Sequence, residues 1–165
     1  MNLSLSANVE HAYFGGGCFW GVEQAFLNLP GVIDTEVGYA GGDDEDFAEP
    51  TYKQVCSGDT GHAEVVHVMY DPIEISYEAL VEEFFGLHNP TQFNRQGPDY
   101  GSQYRSIVLY VDDEQKEIAE EVKEGIQANF EKKVVTLVEP LSKFWKAEEY
   151  HQKYFLKNGG GACHI

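Results

Sequence analysis

The chain has 165 residues, enough for one domain with its own hydrophobic core, and at 42% apolar and 13% aromatic it reads as globular, not disordered. Twenty-eight Asp and Glu against 11 Lys and Arg give a formal charge of −17. Such a surface repels phosphate backbones and anionic lipid, which argues against nucleic-acid and membrane partners, and no apolar run nears the roughly 20 residues of a bilayer span.

Val9 to Phe14 is a strand candidate that runs into Gly15-Gly16-Gly17. From Cys18 to Leu29, Phe19, Val22, Phe26 and Leu29 recur at helical spacing, and Pro30-Gly31 ends that helix. Val32 to Tyr39 predicts a second strand, then a long loop from Ala40 to Lys53 containing the acidic run Asp43 to Asp46, a solvated stretch. His62 to Tyr70 is a β-branched strand closed by Asp71-Pro72. Ser76 to Leu87 has a Ser N-cap candidate and one apolar face, the mark of a helix. A second loop, Asn89 to Arg105, is rich in Gly, Pro, Asn and Gln. A strand at Ser106 to Val111, an amphipathic helix at Asp112 to Phe130 with an acidic outer face, and a strand at Val134 to Val138 follow. A short helix is predicted over Lys146 to Lys157 and a glycine-rich flexible tail from Asn158 to Ile165. This order predicts an α/β (α+β) single domain over 1–165, a two-layer sandwich with a mixed central sheet, flanking helices and a long coil tail. Long irregular loops in so small a domain are uncommon unless they carry function.

Three cysteines without a CxxC pair are too few for a secreted disulfide framework and point to reduced thiols. Met1 to His11 has neither a basic n-region nor an apolar stretch, so a cytoplasmic location is expected. Gly15-Gly16-Gly17-Cys18-Phe19-Trp20-Gly21 is the most informative segment. The glycines permit a tight turn, and Cys18 then opens a helix, where free amides and the dipole favour a thiolate over a thiol. That is what a nucleophilic cysteine needs near neutral pH. The bland reading is a buried thiol with Phe19 and Trp20 as core. Cys56, between Val55 and Ser57, reads as a buried structural thiol.

The chain resembles the type A peptide methionine sulfoxide reductases along nearly its whole length. The resemblance rests on Gly17-Cys18-Phe19-Trp20-Gly21, Gly38 to Gly42, Pro50-Thr51-Tyr52 and Val55 to Glu64, then on Arg95-Gln96-Gly97 through Asp99 to Gly101–Ser106, and Glu149-Tyr150-His151-Gln152. It implies reduction of the S epimer of methionine sulfoxide, free or in oxidised proteins, without a cofactor or metal. Cys18 falls on the family's nucleophile, Glu64 on the residue that protonates the sulfoxide oxygen, and Tyr52 and Tyr104 on the tyrosines that hydrogen-bond it. Phe19 and Trp20 fall on the S-methyl pocket and Asp99 on a substrate contact. The residue types suit the chemistry: charge grows on oxygen as the thiolate attacks sulfur, so an acid and hydroxyl donors lower the barrier. Without the resemblance, Glu64 is a strand carboxylate, Tyr52 and Tyr104 loop aromatics, and Asp99 a turn former.

Attack leaves a sulfenic acid, which a second thiol condenses to a disulfide. Cys163, behind Gly159-Gly160-Gly161, suits that task, and the family commonly places its recycling cysteine in such a stretch. Members usually show Asn-Pro and Gly-Tyr before it, where this chain has Asn158-Gly159-Gly160-Gly161-Ala162-Cys163, and many carry a further recycling cysteine where this chain ends at Ile165. A single Cys18–Cys163 disulfide reduced by thioredoxin is therefore implied, in a monomer. Three rivals differ in class. A zinc site finds no CxxC or HxxxH, and His62 and His67, five apart, fall on opposite strand faces. A redox-sensing module would lack the acid, and a cysteine hydrolase would need a histidine base.

Overall fold

The computed structural model describes residues 8–158. In chain order these form β1 (Glu10–Gly15), α1 (Phe19–Leu27), β2 (Val32–Ala40), α2 (Tyr52–Ser57), β3 (Ala63–Tyr70), α3 (Tyr77–Gly86), the two-residue strands β4 (Arg95–Gln96) and β5 (Asp99–Tyr100), β6 (Ile107–Tyr110), α4 (Asp113–Ile126), β7 (Leu137–Pro140), β8 (Phe144–Lys146) and α5 (Tyr154–Asn158). Six strands make one mixed sheet in the order β7-β6-β1-β3-β2-β8, and β4 pairs with β5 in a separate hairpin. All neighbours in the large sheet are antiparallel except β6 and β7. That parallel pair needs a crossover, which α4 supplies.

Strand alternation sets the two faces of the sheet. On β3, Val66, Val68 and Tyr70 join Phe14 of β1 and Val37 and Tyr39 of β2 in the large core under α1, α3 and α4, while Ala63 and Val65 turn to a smaller cluster with Ile107 and Leu109. Phe14 stacks between Phe26 of α1 and Phe84 of α3, each 5.0 Å away between ring centroids. Burying each ring contributes roughly 1.5–3 kcal/mol, so this stack fixes both helices on the sheet. By the same alternation Glu64 lies on the helix-covered face.

Several elements depart from the sequence expectation. Residues 40–53 are not all loop. Tyr52 opens α2 behind a Thr51–Gln54 capping box, and Gly58, at φ +86°, ends it. The Thr-x-x-Gln signature was present in the sequence. The expected strand at Val134–Val138 begins only at Leu137, because Val135 donates its amide to the Pro90 carbonyl and Thr136 Oγ1 meets Ser106 Oγ at 2.7 Å. The helix expected over Lys146–Lys157 is instead the end of β8, one 3₁₀ turn at Glu149–His151 and the short α5. Gln152 explains the interruption. Its side-chain amide accepts from Val37 N and donates to the Val37 and Ala147 carbonyls, each within 3.0 Å, and Lys153 then turns left-handed at φ +51°. Asn158, expected to open the tail, instead closes α5, and the rest of the expected tail, with Cys163, lies outside the described residues.

Candidate active site

Two adjacent strands bring the first half of the site together. β1 and β3 are in register at Phe14 and Val66, so the chain leaving β1 passes directly over the Glu64 end of β3. A Cβ on Gly15 would sit 2.8 Å from the Glu64 carbonyl, which requires glycine there. Gly17, at φ +100°, then turns the chain into α1, with Cys18 as its half-exposed N-cap residue. The next amide, Phe19 N, donates to Glu64 Oε1 at 3.1 Å. One residue from the thiol, the helix N-terminus thus meets a carboxyl group that is only 2% exposed.

Loops and short elements build the second half. Tyr52, the first residue of α2, and Tyr104, in the 3₁₀ turn at Ser102–Tyr104, both face Glu64. Burial, and next the Glu64 charge, push both phenols well above their ordinary range, so they are hydroxyl donors at any physiological pH. The Tyr52 hydroxyl lies within hydrogen-bonding reach of both Tyr104 and Cys56. Asp99, on β5, contributes a further negative charge felt by Tyr104. The structure therefore gathers Cys18, Glu64, Tyr52, Tyr104, Phe19 and Asp99 around one point. Trp20 follows Cys18 on α1 and stacks face to face on Tyr154 of α5, with centroids 3.7 Å apart and planes at 5°.

Cys56 is not buried as expected. It is exposed on α2, one turn from Tyr52, because the short helix lies at the surface and only Val55 packs inward. Partial desolvation of its sulfur raises the thiol, the Tyr52 hydroxyl opposes this, and the Glu64 and Glu148 charges add to it, so its environment favours the inert form.

Three groups that hold the site together escaped sequence reasoning. Glu148 accepts from the Tyr39 hydroxyl at 2.8 Å and from Tyr52 N at 2.9 Å, joining β2, α2 and the C-terminal segment. Although burial opposes it, those hydrogen bonds hold its carboxyl below the usual range. Gln152 extends β2 with its side-chain amide, as described above. His151 is buried, and its Nδ1 accepts the Trp20 indole N–H at 3.0 Å. No periodicity marks such residues, since they act through one to three polar contacts, most of them with residues far away in sequence. The blocks Val55–Glu64 and Glu149–Gln152 were the available signal. His62, a candidate ligand from composition, is spent on the loop after β2. It accepts from Gly42 N and lies 3.3 Å from the Phe47 carbonyl. The acidic run there is also structured, with Asp43 accepting from the amides of Glu45 and Asp46 and Asp44 from the Trp145 indole. Among the described residues no three His, Cys, Asp or Glu side chains are grouped to hold a metal.

A cysteine at a helix N-terminus beside a buried carboxyl group and two phenols, walled by aromatic rings, defines a thiol-dependent oxidoreductase. The family model described as peptide methionine sulfoxide reductase matches residues 10–165. The peptide methionine sulfoxide reductase MsrA of Methanoculleus marisnigri is 52% identical over 163 residues, covering 98% of each chain. Among solved structures, Mxr1 of Saccharomyces cerevisiae in reduced form superposes with a TM-score of 0.89 at 39% identity, covering 96% of this chain and 92% of that one. Mxr1 in complex with Trx2 superposes at 0.65 with 25% identity, covering 96% and 90%. The chain belongs to the peptide methionine sulfoxide reductase family, with that family's α/β fold. No helix among the described residues is long and apolar enough to cross a membrane.

Proposed function

We propose that this enzyme reduces the S epimer of methionine sulfoxide, in oxidised proteins and as the free amino acid, with Cys18 as nucleophile. The Cys18 sulfur attacks the sulfoxide sulfur, and the sulfur–oxygen bond breaks. Glu64 supplies the proton that the departing oxygen requires, while the Tyr52 and Tyr104 hydroxyls donate hydrogen bonds to that oxygen as negative charge gathers on it. The attack leaves a sulfur–sulfur bond between Cys18 and the substrate, and water then attacks the Cys18 sulfur and breaks that bond, so the substrate sulfur leaves reduced, as methionine, and Cys18 is oxidised to the sulfenic acid. Phe19 and Trp20 take the S-methyl group, and Asp99 contacts the rest of the substrate. The Cys163 thiol then displaces water from the sulfenic acid to give the Cys18–Cys163 disulfide, and thioredoxin returns both to thiols in two-electron exchange. We place the protein in the cytoplasm, as a single domain over 1–165 acting as a monomer.

The observation that carries this reading is the contact of Phe19 N with Glu64, which sets a buried acid beside the nucleophile's helix and in front of both phenols. The engaged Nδ1 of His151 weighs against a cysteine–histidine hydrolase, since the lone pair a base would use is given to an indole. Offered racemic methionine sulfoxide with dithiothreitol, the enzyme consumes the S epimer and leaves the R epimer, followed by chiral chromatography, while Cys18→Ser consumes neither. Loss of the R epimer alone, or equal turnover by Cys18→Ser, would overturn the reading. With thioredoxin as sole reductant, Cys163→Ser stops after one turnover; sustained turnover would remove Cys163 from the cycle.

A further inference from the structure

His151 is the most deeply enclosed ionisable base at the site, 1% exposed, and the reaction outlined above does not use it. It lies in an aromatic nest. The rings of Tyr150, Tyr52, Phe19 and Trp20 stand 4.1, 4.5, 5.2 and 5.6 Å from its own. Its one side-chain hydrogen bond among the described residues comes from the Trp20 indole N–H, which donates to Nδ1 at 3.0 Å. An indole nitrogen only donates, so Nδ1 carries a lone pair and the neutral ring keeps its proton on Nε2. Nε2 is buried and has no hydrogen-bond partner among the described residues. A buried donor left without an acceptor costs free energy, and an apolar ring of the same shape would avoid that cost. Among the described residues, the contact with the indole is the one an apolar ring could not make.

We propose that His151 is a positioning residue for the reductase reaction, whose neutral imidazole fixes the Trp20 ring beside Cys18 by accepting its N–H. The proposal rests on the reading that Trp20 receives the substrate's methyl group. The indole is held on two sides: Tyr154 covers one face, while His151 takes the nitrogen edge. With the edge contact gone, the ring can slide along Tyr154 and the sulfoxide loses its lateral stop. Misplacement of a positioning group by an ångström costs up to about a hundredfold in rate. The contact also has an acid limit, because a protonated imidazole has no lone pair to offer. Burial holds the ring below the ordinary histidine range, Lys157 of α5 acts in the same direction, and Glu148 opposes both. The other side chains around the ring, Tyr52 from α2, Phe19 and Trp20 from α1, and Tyr150 beside it in the 3₁₀ turn, are uncharged at neutral pH.

A double-mutant cycle with methionine sulfoxide and dithiothreitol separates positioning from general structure. His151→Leu lowers kcat/KM about ten- to hundredfold. His151→Asn, whose side-chain oxygen reaches the Nδ1 position, restores most of it. In the Trp20→Phe background His151→Leu changes kcat/KM by less than about twofold, since the pair no longer exists. Equal losses in both backgrounds would overturn the proposal. A second readout needs no turnover, so it fails or succeeds apart from the enzymatic reading. In the ¹H–¹⁵N spectrum of the full chain, the Trp20 indole signal moves upfield in His151→Leu and follows the imidazole titration of the native protein in acid. The Trp145 indole, which donates to Asp44, is the internal reference. A Trp20 signal that ignores the substitution, or that holds still until the fold itself melts, would equally overturn it.

Discussion

The two halves of the site are built by different physics. Cys18 and Phe19 open α1 and Glu64 lies on β3, beside β1, where ladder hydrogen bonds and a buried phenylalanine stack fix the backbone. Tyr52, Tyr104, Asp99 and His151 sit on a six-residue helix, a two-residue strand and two 3₁₀ turns, none of which could hold its shape alone. These are pinned by side chains, through Glu148 to Tyr52, Gln152 to β2, and His151 to Trp20. The first half is set by packing, the second by a few polar contacts between residues far apart in sequence. Substitutions in the first should therefore remove chemistry outright, and those in the second should loosen it by degrees.

The sharpest break is Glu64→Gln. It is nearly isosteric and keeps an oxygen for the Phe19 amide, but it removes the acid. Single-turnover formation of the Cys18 sulfenic acid should slow by about 10²–10⁴-fold, the usual range for a lost general acid. An undiminished rate in rapid-mixing experiments would deny Glu64 the proton transfer. Tyr104→Phe tests the other half. Loss of one oxyanion donor typically costs 10²–10³-fold, and the neighbouring Tyr52 hydroxyl compensates in part, so about 10–10²-fold is expected. Tyr52→Phe together with Tyr104→Phe should then lose more than the product of the single effects, because each alone is covered by the other.

The same division decides what could be read from the sequence. α1 and α3 were legible because each buries one face and so repeats at helical spacing, β3 because a central strand buried on both faces is rich in β-branched residues, and the tripled glycine before Cys18 marked the turn. The site residues were legible from the resemblance, carried by blocks of motif; by pattern alone Glu64 is one more strand carboxylate. Illegible were the pieces whose shape is imposed from a distance. Lys146–Lys157 has enough helix formers to predict a helix, but Gln152 gives its amide to β2 115 residues away, and that contact outweighs local propensity. Cys56 was read as buried from its residue type, whereas the short helix that carries it packs only Val55 inward and leaves Cys56 exposed.

Glu148→Gln weakens the loop half without touching a reacting atom. Gln keeps an oxygen for the Tyr52 amide, and the Tyr39 hydroxyl can turn to accept from the new amino group, but the charge that strengthened both contacts is gone, so Tyr52 is held less firmly. We expect kcat/KM for methionine sulfoxide to fall several-fold, a loss on the order of 1 kcal/mol for one hydrogen bond to a charged acceptor. The pH dependence carries a sign. The folded carboxyl of Glu148 is held below its unfolded value, so its contribution is complete above the ordinary glutamate range, near 4.5, and is lost as pH falls through the lowered value. Thermal melts of the native protein and Glu148→Gln should therefore differ most near neutrality and converge in acid. A difference that widened in acid would assign the stabilisation elsewhere.

Glu23 gives the smallest effect and the opposite sign. It is buried on α1 at 1% exposure, accepting from Thr35 Oγ1 and from Lys153 N, each at 2.7 Å, and so ties the left-handed turn after Gln152 to the helix that begins at Cys18. Burial pushes its carboxyl up, and the hydrogen bonds from Thr35 and Lys153, with the Lys153 charge, offset this only in part. Its folded value lies above the unfolded one, so its favourable contribution is complete below about pH 4.5 and is lost as pH rises through the raised value. In Glu23→Gln the oxygen keeps the Lys153 amide, and the Thr35 hydroxyl can rotate to accept from the new amino group. Both polar contacts survive without a buried charge, so the melting temperature near neutrality should move by only a few degrees, within about 1 kcal/mol. Whichever way it moves, the variant should rise relative to the native protein as pH increases from 4 to 8, because only the native chain must ionise a buried carboxyl over that interval. Glu23→Ala has no such latitude: it strands the Lys153 amide and should cost about 1–3 kcal/mol at every pH. Parallel pH–stability curves for Glu23→Gln and the native protein would show that the carboxyl binds as many protons folded as unfolded, so that burial does not raise it.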